Sequence, residues 1–194
     1  GRFIFASNHP LGALDGVALI RFFGHFYSGK IKFLVNDLLM HIKPLAPVFL
    51  PINKYGSQAK ESSLQINNAY ESDEQMLIFP AGLCSRQHGK IKDLEWKKTF
   101  IAKAVQSQRD IIPIYFEGRN STFFYRFAQI RKCIGLKFNI ELIYLPDEMF
   151  NSKNKTFDIY IGKPIPWQTF DKSKSLQEWA QIVKEKVYQI KKNQ

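Results

Sequence analysis

The sequence predicts an α/β fold: a single domain with a largely parallel central sheet flanked by helices. Three observations lead there. Short apolar runs bounded by Pro, Gly or polar residues recur along the chain, as buried strands do. Between them lie longer stretches whose apolar residues return at helical spacing. The length, 194 residues, accommodates one sizeable core and leaves little for a second.

The elements follow in order. Phe3 to Ser7 reads as a strand, Asn8-His9-Pro10-Leu11-Gly12 as a turn-rich loop, and Ala13 to Phe26 as a helix. Pro47 to Asn53 and Met76 to Phe79 are further strands, separated by a polar helix from Gln58 to Ser72. Trp96 to Gln108 carries a helical stripe at positions 96, 100, 101, 104 and 105, and the apolar run Ile111 to Phe116 after it reads as a strand. Phe138 to Leu145 and Phe157 to Ile161 are expected to be strands, with antiparallel pairing open to these last two. Leu176 to Ile190 closes the chain as an amphipathic helix. There is no internal repeat. Low complexity is confined to the lysine-rich tail and the polar linker Asn151 to Thr156, so residues 1–194 form one domain.

Composition narrows the function classes. A chain that is 45% hydrophobic and 14% aromatic folds rather than staying disordered. Twenty-eight basic against seventeen acidic residues, a net charge of +11, call for a polyanionic partner: nucleic acid, an anionic membrane, or an acidic protein or substrate. Cys84 and Cys133 are too few for a disulfide framework and lack the spacing of a zinc site, which suits a reducing compartment. Asp15, Arg21 and Lys30 interrupt the most apolar N-terminal region, so no run is long enough to span a bilayer. The chain opens on Gly1 and enters a strand at once, as a piece excised from a longer protein would, and an upstream anchor is expected outside it.

Two constellations carry chemistry. In Asn8-His9-Pro10-Leu11-Gly12-Ala13-Leu14-Asp15 a histidine follows a strand, and a carboxylate stands in the first turn of the next helix. Such a carboxylate can orient an imidazole and stabilise its protonated form, leaving His9 as general base and Asp15 as its partner. The bland alternative is a capping Asp15 and a loop histidine. The second constellation is Phe79-Pro80-Ala81-Gly82-Leu83-Cys84-Ser85-Arg86, where backbone amides freed by Gly82 and the fork of Arg86 suit an anion. Taken alone it reads equally as a polar turn.

Together these segments resemble the glycerolipid acyltransferase family of the lysophosphatidic acid acyltransferase type, with its N-H-x4-D and F-P-E-G-T-R-S blocks. Val48-Phe49-Leu50-Pro51-Ile52-Asn53-Lys54 is similar to the family's second block, Trp96-Lys97-Lys98 to its F-K-x segment and Ile111-Ile112-Pro113-Ile114 to its V-x-P-V block. The resemblance covers roughly the first 120 residues. It departs in two places. Five residues separate His9 from Asp15 where the family has four, so the loop must bulge or the helix start later. The Glu and first Arg of the third block are Ala81 and Cys84, leaving Gly82, Ser85 and Arg86 of its polar set.

The resemblance implies a glycerolipid-acyltransferase-like layered fold and an O-acyltransferase. His9 would deprotonate a lyso-lipid hydroxyl that attacks an acyl thioester directly, with acyl carrier protein or acyl-CoA as co-substrate and neither a bound cofactor nor a metal. Asn8, Asn53, Lys54, Gly82, Ser85, Arg86 and Lys97 are the expected substrate-binding residues. Loss of a carboxylate and a guanidinium points to an acceptor other than lysophosphatidic acid, such as an aminoacyl lipid bearing a hydroxy fatty acid. Cys84 suggests a rival thiol nucleophile, but Arg86 stands where a nucleophile elbow needs its second glycine.

Lys30, Lys32, Lys43, Lys54, Arg86, Lys90, Lys92, Lys97 and Lys98 fall in segments around the site and suit an anionic lipid surface. The aromatic runs Phe22 to Tyr27 and Phe123 to Phe127 read either as core or as interfacial residues, the second having basic neighbours in Arg126, Arg131 and Lys132. The expected location is the cytoplasmic face of a membrane, peripheral or anchored by the upstream segment. The competing functions are a lipid-binding domain of the same fold without chemistry, and a basic nucleic-acid-binding module, for which no recognised motif is present.

Overall fold

The computed structural model describes residues 1–35, 40, 42–52, 58–136 and 138–191, without the side chains of Gln58, Ala59 and His88. Six strands form one sheet in the order β3-β2-β4-β1-β7-β8. They are β1 (Phe3–Ser7), β2 (Ile31–Val35), β3 (Phe49–Pro51), β4 (Gln75–Ile78), β7 (Asp110–Phe116) and β8 (Ile159–Ile161). All neighbours are parallel except β8, which runs antiparallel to β7. The hairpin β5 (Arg86–His88) and β6 (Lys90–Lys92) stands apart from this sheet. The parallel α/β expectation and the antiparallel last strand are both met.

The central strands are apolar throughout because both faces are covered. Side chains alternate across β1: Ile4 and Ala6 join one core cluster, Phe5 the other. The first cluster is completed by the helices α2 (Gln58–Glu71), α3 (Thr99–Ser107) and α6 (Leu176–Ile190), through Tyr70, Phe100, Ile101, Ala104, Val183 and Val187. The second is closed by α1 (Leu14–Phe26), which buries Leu19, Ile20 and Phe23. Each large apolar side chain so buried contributes roughly 1.5–3 kcal/mol. Phe23 of the first aromatic run is therefore core, whereas Phe22 and Phe26 stay exposed.

Three further stretches differ from expectation. Residues 31–35 form a strand that the reading passed over, although Ile31, Phe33 and Val35 alternate inward as a half-buried strand should. The expected strand at 138–145 is instead a 3-10 turn, Ile140–Tyr144, leading into α5 (Leu145–Phe150). The inward residues there are Glu141, Leu142 and Leu145, close to a three-residue period, and Pro146 favours the start of a helix. The helix expected from Trp96 begins at Thr99, leaving Trp96 in the preceding loop.

Arg109, fully buried just before β7, closes the end of α2. Its guanidinium donates to the carbonyls of Tyr70 and Glu74 at 2.7 and 2.6 Å and to those of Ala69 and Ser72. Ala69 and Tyr70 are in the last turn of α2, whose carbonyls a helix C-terminus leaves unpaired, and Ser72 and Glu74 follow in the turn to β4. Burial lowers the Arg109 pKa from its ordinary value. A Ser175–Glu178 capping box starts α6.

The remaining helix, α4 (Thr122–Cys133), and α5 lie against the loop after β4 through a small cluster of Cys84, Phe124 and Tyr125, with Leu142 and Leu145.

Candidate active site

Strands β1 and β4 are neighbours and parallel, with Ala6 opposite Ile78, so the loops that follow them emerge side by side at the carboxyl edge of the sheet. Open α/β sheets place ligands at this edge. Asn8 secures the first loop: its side chain donates to the Phe116 carbonyl at 2.9 Å and accepts from the Phe116 amide at 2.6 Å. Both ends of this buried amide thus engage the end of β7, so Asn8 fixes the loop, and it also lines the pocket beside Ser85 and Tyr188.

His9 and Asp15 meet, with His9 Nδ1 3.0 Å from Asp15 Oδ2. The carboxylate is fully buried, accepting backbone N–H bonds from Leu11 and Gly12 on Oδ2 and from Gly16 on Oδ1. Because an ionised carboxylate only accepts, Nδ1 carries the hydrogen and Nε2 keeps its lone pair. The five-residue spacing is taken up by a loop wrapped around Asp15, turning at Gly12 with φ +80°. A side chain at Gly12 would also press on Cys84 and Leu145. The His9 ring stacks on Phe79, centroids 3.8 Å apart, and its side chain is 14% exposed. One imidazole orientation is therefore set by Asp15 at one edge and Phe79 on one face.

The second loop is bound to the first by the Ser85 amide, which donates to the His9 carbonyl at 2.7 Å. Asp93 joins both. Its Oδ1 accepts from the His9 amide at 3.1 Å and from the Ser85 hydroxyl at 2.6 Å, while Oδ2 accepts from the Trp96 indole at 2.8 Å. The Asp93 amide donates to the Tyr188 hydroxyl of α6. Burial pushes the phenols of Tyr188 and Tyr70 well above the ordinary range.

Gly82 turns at φ +70°, a conformation that favours glycine, and the Lys97 ammonium lies over it, 2.7 Å from where a β-carbon would stand. Arg86 is engaged elsewhere: it lies 2.9 Å from Glu141 Oε1 and donates to the Cys84 sulfur at 3.1 Å. Glu141, fully buried, also meets Arg131 at 2.8 Å. These contacts are ionic rather than in-line hydrogen bonds. Burial raises the Cys84 thiol to about 11, leaving it protonated near neutrality.

The structure brings His9 in the loop after β1, Asp15 at the start of α1, Gly82 and Ser85 in the loop after β4, Arg86 at the start of β5 and Lys97 before α3 to one end of the sheet. Asn53 and Lys54 lie outside the described residues, as does Lys54 in the basic set. Lys30 and Lys32 fall at the start of β2, the sheet edge opposite the dyad, where Lys32 pairs with Glu74. Asp93, Glu141 and Tyr188 are not among the expected site residues, and Phe79, which opens the second constellation, has no role there beyond marking the strand end. Asp93 lies outside the motif blocks, and nothing local marks Glu141 as the partner of Arg86. A pocket of about 230 Å³ is lined by Asn8, Pro10, Ser85, Tyr115, Arg119 and Tyr188, the two chain neighbours of His9 among them. A larger one, about 290 Å³, between Pro113, Lys163 and Lys186 contains none of these loop residues. Among the described residues no His, Cys, Asp or Glu grouping suits a metal, and no helix is long and apolar enough to cross a membrane.

Residues 1–194 match the family described as Acyltransferase. The chain belongs to that family. It is 56% identical over 191 residues to a lyso-glycine lipid O-acyltransferase of Bacteroides thetaiotaomicron, covering 98% of this chain and 70% of the relative. A protein of the same name from Phocaeicola vulgatus is 54% identical over 191 residues, covering 98% and 68%. The crystal structure of the 1-acyl-sn-glycerophosphate (LPA) acyltransferase PlsC from Thermotoga maritima superposes with a TM-score of 0.55 at 17% identity. That match covers 98% of this chain and 66% of the solved one, and it bears on the fold alone. This acyltransferase is thus an acyl-transferring enzyme with a glycerolipid acyltransferase fold.

Proposed function

We propose that this acyltransferase moves a fatty acyl group from a phosphopantetheine thioester, carried by acyl carrier protein or coenzyme A, to the hydroxyl of a lyso-lipid with an amino-acid headgroup such as glycine. The observation that carries the proposal is the His9–Asp15 pair, held at 3.0 Å by a buried carboxylate that three backbone amides also fix. His9 Nε2 takes the proton of the acceptor hydroxyl, and the oxygen attacks the thioester carbonyl. The ester C–O bond forms, the C–S bond breaks, and the departing thiolate takes the proton back from the imidazolium. Asp15 keeps the tautomer and stabilises the transient cation.

The names of the two curated relatives support the acceptor class. So does the loop chemistry: Ala81 supplies no carboxylate, and the Arg86 guanidinium is engaged with Glu141 and Cys84. Lys97, over Gly82, is then a cation beside the loop for an anionic group of donor or acceptor. The setting is membrane lipid synthesis at the cytoplasmic face of the membrane.

The test is transfer of labelled palmitate from each donor to lyso-glycine lipid and, separately, to lysophosphatidic acid, with His9→Ala alongside. Transfer to the glycine lipid only when His9 is intact is the expected result. Equal rates on lysophosphatidic acid would refute the acceptor assignment, and unimpaired transfer by His9→Ala would refute the mechanism.

A further inference from the structure

Helix α4 is apolar on two sides. Phe124, Tyr125 and Ala128 face inward and are buried. Phe123, Phe127, Ile130 and Ile134 follow one another at spacings of four, three and four, a second stripe along the helix. Of these, Phe123, Ile130 and Ile134 are exposed. Phe123 and Phe127 stack in parallel with centroids 5.9 Å apart, and Tyr144 meets both edge-on at 5.3 and 5.4 Å. Beside Tyr144, Ile143 is 75% exposed. An ordered aromatic cluster with aliphatic residues alongside it at the surface marks an interaction face.

The charges of the same segment say which kind. Arg119, Arg126, Lys132, Lys153 and Lys155 are exposed there. Of the acidic side chains, Glu141 is buried between Arg86 and Arg131, and Glu148 accepts from the Ser121 amide and hydroxyl, leaving Asp147 exposed. A protein core partner would meet uncompensated cations around its apolar contact, whereas an anionic bilayer offers hydrocarbon below a layer of phosphates.

We infer that the outer face of α4 together with the 3-10 turn carrying Ile143 and Tyr144 is the surface by which this chain docks on an anionic lipid bilayer. The segment leans directly on the candidate site. Leu145 lies against Gly12, Cys84 packs on Phe124 and Tyr125, and the Asn120 side chain donates to the carbonyls of Pro10 and Leu11. Docking through its outer face holds the His9 loop, packed behind the inward side of the helix, one helix diameter (~10 Å) from the surface where a lyso-lipid resides, so the inference deepens the acceptor reading above and rests on it.

The experiment is co-sedimentation with vesicles of phosphatidylcholine containing phosphatidylglycerol. The variants are Ile130→Ser/Ile134→Ser/Ile143→Ser on the face, Arg126→Glu for its charge, and Phe22→Ser/Phe26→Ser as an apolar control on α1. Both face variants should bind at least about tenfold more weakly, with circular dichroism and thermal unfolding as in the parent, while the α1 control binds as the parent does. A fluorophore on Cys133, exposed on α4 while Cys84 is buried, should shift to the blue when vesicles are added. His9→Ala should bind vesicles normally, which separates docking from catalysis.

Unchanged binding by the triple variant overturns the inference, as does loss of binding by the α1 control alone. Vesicle-independent self-association of the parent that the triple variant abolishes would assign the face to a second copy and overturn it equally.

Discussion

Asp93→Asn tests the idea that one carboxylate holds the two site loops together. The amide keeps one oxygen and replaces the other with a donor. If its oxygen serves the His9 amide and Ser85 hydroxyl, its NH2 faces the Trp96 indole N–H; reversed, it faces the His9 amide. Either way two donors confront one another in a buried place. Losing charge-assisted bonds worth about 1.5–3 kcal/mol and leaving a buried donor unpaired gives a destabilisation of about 3 kcal/mol. For a chain of this size that lowers the melting temperature by roughly 6–12 °C.

Transfer should fall about a hundredfold, the cost of displacing a reacting group by about 1 Å. Where the NH2 faces the indole, Trp96→Phe removes the opposing donor and the double variant should recover about 1–2 kcal/mol relative to the sum of the two single changes; where it faces the His9 amide, the two changes should add. Calorimetry with a steady-state transfer assay reads both. Asp93→Asn melting within about 1 °C of the parent with full transfer would refute the reasoning, and the double variant reports which way the amide is turned.

Asp15→Asn should lower kcat by about 10²–10⁴-fold with little change in KM, because the imidazole loses its tautomer control; single-turnover transfer reads it. With the Cys84 thiol raised to about 11 by burial, iodoacetamide at pH 8 should modify Cys133 alone in the native protein, and Cys84→Ser should retain transfer; peptide mass spectrometry and the palmitate assay check these. Glu141→Gln leaves Arg86 and Arg131 with no carboxylate between them and should cost about 3–5 kcal/mol by denaturant unfolding. Arg109→Lys cannot reach the four carbonyls at the end of α2 and should cost about 2–4 kcal/mol, with faster hydrogen exchange in the last turn of α2.

The layered fold was legible because its signals are local: β1, β4 and β7 are continuous apolar runs, and α1, α3 and α6 repeat at helical spacing. The His9–Asp15 contact was legible too, since both ends lie within one strand-loop-helix passage. β2 carried a signal, the alternation of Ile31, Phe33 and Val35, that went unread. The stretch at 138–145 misled because alternating apolar residues over so short a run fit a strand and a 3-10 turn alike; only Cys84 and Phe124 on the other side of the contact make Leu142 and Leu145 inward. Asp93 and Glu141 were illegible for a different reason. A lone carboxylate reads as a solvated charge until the fold brings distant donors to it.

Glu141 also bears on the proposed acceptor. The loop after β4 lacks both the Glu and the first Arg of the family's third block, a paired loss that leaves its net charge unchanged and Arg86 as its one guanidinium. Arg86 has a side-chain exposure of only 11%, and a cation so enclosed needs a nearby anion. In this chain the anion is internal, Glu141, and Arg131 shares it. A dianionic phosphate monoester approaching the loop would have to compete with a carboxylate already in place, whereas a singly charged carboxylate headgroup asks only for an outlying cation such as Lys97. Under the proposed acceptor, the ion triad rather than the dyad would do the selecting, by occupying a guanidinium instead of presenting one.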